Sequence, residues 1–129
     1  MKKLAILGRI LFALPFGIMG LNHFLMTNVF VGMMSSFIPG GAFTVLLTGV
    51  LLIVGCVSII LNKNLKLVCF GLAGLLFIFI ATIHIPGLFD SDPKLVQTAL
   101  IELLKDTGLM GGAIMIAVFS DSIKEESVK

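Results

Sequence analysis

The stretch AFTVLLTGVLLIVGCVSIIL, residues 42–61, contains no charged side chain. Wound as an α-helix at 1.5 Å per residue, it is about 30 Å long. That is the thickness of a bilayer's hydrocarbon core, which takes about 20 apolar residues to cross. Turn signals bound it on both sides: Pro39-Gly40-Gly41 before it, and Asn62 to Lys66, a tight basic turn, after it. The reading of a transmembrane helix starts here and extends outward in both directions.

Three further segments approach the same length. One runs from Leu4 to about Leu25, interrupted by Arg9 and His23. Another runs from about Leu67 to Leu88, with His84 its only titratable side chain apart from Cys69. The last is apolar only from Thr107 to Phe119, short for a span. Asp92-Pro93 reads as a cap and first turn, so a helix begins there. Leu95, Ala99, Glu102 and Lys105 lie on its amphipathic lead-in. The expected fold is all-α: one integral membrane domain over residues 1–129, a four-helix transmembrane bundle with spans at about 4–25, 42–61, 67–88 and 105–120. Lys2 and Lys3 before an apolar run resemble a signal peptide. Arg9 interrupts that run and no small-residue cleavage site follows, so the segment is expected to stay as a helix.

Composition agrees. Hydrophobic residues make up 58% and charged residues 12%, and mean hydropathy is +1.17. A soluble domain carries about 25% charged residues, so this chain cannot clothe a water-facing surface. A net charge of +2, not gathered in one stripe, excludes a nucleic-acid partner. Trp and Tyr are absent, so the usual interfacial aromatic belt is missing. Lys2, Lys3, Arg9, Lys63, Lys66, Lys124 and Lys129 fall on one side of the spans, and Lys94 and Lys105 on the other. The excess of basic residues places both termini in the cytoplasm. The uncharged loop from Thr27 to Gly41 and the acidic loop from Pro86 to Pro93 then face outward. The charged tail from Asp121 is expected to fray into water.

Lipid gives helices no hydrophobic reason to meet, so small residues mark their contact faces. They recur on each span: Arg9, Ala13, Gly17 and Gly20; Thr44, Thr48 and Gly55; Cys69, Ala73, Ala81 and His84; Asp106, Ala113, Ala117 and Ser120. Gly108 and Gly112 form a second G-x-x-x-G face on the last helix, room for a homo-oligomer or a membrane-protein partner. Cys56 and Cys69 read as small buried residues, with a redox pair as the alternative.

The polar residues within the spans carry any chemistry. His23 and His84 both lie near the outward ends of parallel helices, each on its small-residue stripe. Asp106 begins the apolar part of the last helix at the same level, with Asn22 and Glu102 close in depth. One reading is interhelical hydrogen bonding that fixes the bundle. Others are a ligand site at His23, His84, Asp106 and Asn22 for a quinone whose carbonyls take His N–H donors, a bis-His haem, or a metal, although no motif spacing assigns metal ligands. Arg9 snorkels to the inner interface or pairs with a carbonyl or an anionic lipid headgroup. No nucleotide-binding glycine fingerprint, C-x-x-C, H-E-x-x-H or nucleophile elbow occurs.

Gly8-Arg9-Ile10-Leu11 opens the first span and Gly20-Leu21-Asn22-His23-Phe24 closes it. Pro39 and a glycine-bearing second span (Gly49, Gly55) follow, then Lys105-Asp106, Leu109 and Gly111-Gly112. In these elements the chain resembles the DoxX family of small four-helix membrane proteins. The family's acidic residue in the second span is replaced here by Leu51 or Leu52, and its Asn near the start of the fourth by Asp106. The resemblance implies a multi-pass protein of the bacterial inner membrane. It implies an accessory or partner-binding subunit linked to redox homeostasis, or alternatively a membrane oxidoreductase subunit acting on a quinone.

Overall fold

A computed structural model describes residues 1–34 and 36–128, with the side chains of the last helix as far as Ser122. The described residues form helices α1 (Lys2–Leu25), α2 (Thr27–Met33), α3 (Ala42–Ile60), α4 (Leu65–Phe79), α5 (Ile85–Gly87) and α6 (Pro93–Val128). A π-helical turn, Ile80–His84, joins α4 to α5. Four helices are long and apolar enough to cross a membrane: Lys2–Leu25, Ala42–Ile60, Leu65–Gly87 and Pro93–Ser122. Large apolar side chains such as Phe43, Leu67 and Phe77 are exposed along them. That surface suits hydrocarbon and would be costly in water.

The chain divides into two compact units, Met1–Asn64 and Leu65–Lys129. In the first, α1 packs on α3 and α2 packs on both. Glycines set the approach of α1 to α3. A Cβ at Gly20 would lie 2.9 Å from the Gly49 carbonyl oxygen, and one at Gly49 would lie 3.0 Å from that of Gly20. Gly17 leaves room for the Cys56 sulfur in the same way. Ala13, Phe16 and His23 complete the buried stripe of α1. Pro15 lies within α1, and the helix continues through it.

Two connections differ from expectation. Residues Thr27–Met33, expected as loop, form α2; seven residues are too few to span a membrane but enough for two turns packed on the helix pair. The tail expected to fray from Asp121 instead continues α6 to Val128. The turn after α3 is tight because Asn62 and Asn64 take left-handed backbone angles, φ 58° and 51°, which asparagine tolerates better than most residues.

In the second unit α4 packs on α6, and the π turn and α5 pack on α6 as well. Ala99, Asp106, Ala113, Ala117 and Ser120 form the buried stripe of α6. α5 approaches α6 closely at Gly87, where a Cβ would come within 2.8 Å of the Ala99 methyl. Pro86 explains the π turn. Proline has no N–H to donate, and in a regular helix its ring would strike the carbonyl four residues back, that of Thr82. The widened turn relieves this, and the Ile85 N–H reaches five residues back to the Ile80 carbonyl.

Candidate functional site

His84 ends the π turn and is buried, as is Asp106 on the facing stripe of α6. His84 Nε2 stands 2.8 Å from Asp106 Oδ2. Their side chains are 10% and 7% exposed, so this is a polar couple largely withdrawn from solvent. Buried polar groups persist where they are paired, and here each supplies what the other needs. π turns are rare and concentrate at functional sites. This one delivers the imidazole to the carboxylate.

Two more charged residues close around the couple. Glu102 lies one helical turn before Asp106, the i, i+4 spacing that puts both carboxylates on one face of α6. Lys105 donates from Nζ to Glu102 Oε2 and lies 3.7 Å from Asp106 Oδ1. The side chains of Lys105 and Glu102 are 37% and 32% exposed. The cluster therefore grades from an accessible rim, Glu102 and Lys105, to a buried floor, Asp106 and His84. One donor atom each from His84, Glu102 and Asp106 falls within 4.8 Å of the others.

With Nε2 facing a carboxylate, a neutral His84 keeps its proton on Nε2 and presents Nδ1 as an acceptor. Nδ1 can therefore accept a hydrogen bond from a hydroxyl when bare and donate one to a carbonyl when it carries a proton.

His23 has different surroundings. It lies in the first unit, with Nδ1 2.7 Å from the Met19 carbonyl of its own helix. Its ring stacks on Phe30 of α2, centroids 4.1 Å apart and planes inclined by 18°. Its Cβ rests against Gly49 of α3. Asn22, beside it on α1, is half-buried, and its carbonyl accepts the Met26 N–H that ends the helix. Arg9 is half-buried on α1, and its Nε is enclosed with no hydrogen-bond partner among the described residues. Cys56 and Cys69 are buried free thiols, one in each unit.

Of the residues singled out from sequence, the structure brings His84 and Asp106 together and joins them to Glu102 and Lys105. The sequence reading puts Glu102 at this depth and both Glu102 and Lys105 on the amphipathic lead-in of the last span, but assigns Lys105 no place in the site. The Glu102-x-x-Lys105-Asp106 spacing was the available signal for both. The chain matches no family model, no curated protein and no solved structure.

Proposed function

We propose that this chain is a DoxX-like, multi-pass protein of the bacterial inner membrane, with both termini cytoplasmic, acting as a redox-linked subunit that binds a quinone or quinol at His84 and Asp106. The observation that carries this reading is the 2.8 Å couple between His84 Nε2 and Asp106 Oδ2 near the end of an apolar span. A lipid-soluble ligand reaches that depth from the bilayer. Its oxidised form offers carbonyls and its reduced form hydroxyls, the two partners that the two protonation states of Nδ1 suit. The chain's own contribution is to bind the head group and to hold or release a proton at Nδ1.

The test is saturable binding of a short-chain quinone to protein purified in mild detergent, followed by fluorescence or calorimetry. Replacing His84 by Gln or Asp106 by Asn is expected to weaken binding by about tenfold or more, the loss of one good hydrogen bond to a charge-assisted pair. His23→Phe is expected to leave it unchanged. Equal binding by all four proteins would remove the quinone reading.

A second reading, an accessory protein that works through a membrane partner or a second copy, draws on the last helix. Cβ atoms built at Gly108 and Gly111 meet nothing within 4 Å, so this part of α6 offers close backbone approach to another helix.

A further inference from the structure

We infer that His84, Glu102 and Asp106 form a site for a divalent transition-metal ion, and that the Lys105 ammonium competes with the ion for the two carboxylates. The inference goes beyond quinone binding. It uses Nε2 of His84 as the ligand, the imidazole proton moving to Nδ1 when the ion takes the place of the Nε2–H hydrogen bond, and it uses Glu102, which the quinone reading does not need.

The donor set comes first. One imidazole with two carboxylates suits manganese, iron, cobalt or zinc better than magnesium or calcium, whose sites are built from oxygen alone. The spacing follows. Donors bound about 2.1 Å from one ion at right angles are about 3 Å apart. His84 Nε2 and Asp106 Oδ2 already stand 2.8 Å apart, and all three residues offer a donor within 4.8 Å of the others. Small rotations of the half-exposed Glu102 side chain span the remaining distance. The donors come from two rigid sources, the π turn and one face of α6, and Gly87 against Ala99 pins the two together.

Charge supplies an independent argument. With both carboxylates ionised, His84 neutral and Lys105 protonated, the cluster carries −1. A divalent ion in place of the ammonium makes it neutral, the favourable condition beside hydrocarbon. Lys105 can give way because its side chain is 37% exposed and long enough to swing into water. Its contacts with Glu102 Oε2 and with Asp106 Oδ1 at 3.7 Å put a cation against both carboxylates that the ion would use.

The experiment is titration of the purified full chain with Mn²⁺, read by loss of the free-ion EPR signal. Wild type is expected to bind one ion saturably. Glu102→Gln and His84→Ala are each expected to weaken binding by at least about tenfold, the loss of one ligand. Lys105→Met is expected to tighten it about fivefold, the release of one partly exposed ion pair. Glu102→Gln and Lys105→Met alter the accessible rim, so their opposite shifts decide the matter even where His84→Ala fails to fold. No saturable binding by wild type, unchanged binding in Glu102→Gln, or weaker binding in Lys105→Met would each overturn the site. So would unchanged binding in a folded His84→Ala. Quinone binding is scored on separate samples and does not depend on Glu102 or Lys105, so the Glu102→Gln and Lys105→Met variants tell failure of the metal site from failure of the quinone site.

Discussion

The two histidines of this chain occupy similar positions in their helices and differ in what satisfies them. Both are buried near the ends of apolar spans. His23 bonds to a carbonyl one turn back in its own helix and stacks on a phenylalanine. Neither of these partners carries a charge. His84 instead meets an ionisable carboxylate from another helix, with a glutamate and a lysine at the rim. The first arrangement fastens α2 and α3 to α1. The second costs desolvation of two ionisable groups, and in a membrane such groups mark functional sites more often than structural ones. Burial alone therefore separates nothing here; the identity of the partner does.

The largest expected break in the comparison comes from orphaning one member of the couple. Asp106→Ala is expected to cost about 3 kcal/mol, because it leaves the His84 N–H buried without its acceptor. Reversible unfolding in mixed micelles would measure it. The double variant with His84→Ala should cost less than the sum of the singles. Strict additivity would mean that the two do not interact. Next in size is the glycine crossing of the first unit. Gly49→Ala sets a methyl 2.9 Å from the His23 Cβ and 3.0 Å from the Gly20 carbonyl. It should cost about 1–3 kcal/mol through forced separation of α1 from α3, without affecting ligand or metal binding at His84. The smallest effect is expected from His23→Phe, which keeps a ring against Phe30 and removes one hydrogen bond. Its cost should be about 1 kcal/mol by the same unfolding assay. A loss as large as that of Asp106→Ala would make the two histidines equivalent and undo the contrast.

How much of this was legible beforehand depends on the physical origin of each feature. The four long helices follow from runs of apolar residues long enough to cross hydrocarbon, a one-dimensional property. The buried face of α6 followed from small residues at helical spacing. Residues Thr27–Met33 defeated the same method, because seven residues without a charge or a period fit a loop as well as a short helix. The charged tail was misjudged for a related reason. Charge argues for water, and water does not by itself end a helix. The division into two units left no mark in the sequence, since Asn62 to Lys66 reads as a turn whichever helices it joins. His84 and Asp106 could be put at one level by counting turns, but their contact depends on the π turn. Pro86 was the trace of that turn, yet proline signals a disturbance without saying how the helix absorbs it.

The π turn has a consequence for how this protein tolerates insertion and deletion. A widened turn carries one residue more than a regular helix of the same course, and each residue advances an α-helix by about 100°. Removing one residue from 80–83 would take away the spare residue and leave an apolar span, with Pro86 still disturbing the helix beside it. It would also rotate His84 away from Asp106 relative to everything before it. In a lineage descended from such a chain, the helix and even the histidine could persist after the couple was gone. The inherited mark of the site is thus the spare residue, and a shortened span with an intact His-Ile-Pro-Gly sequence would be a protein of the same outline with the site dismantled.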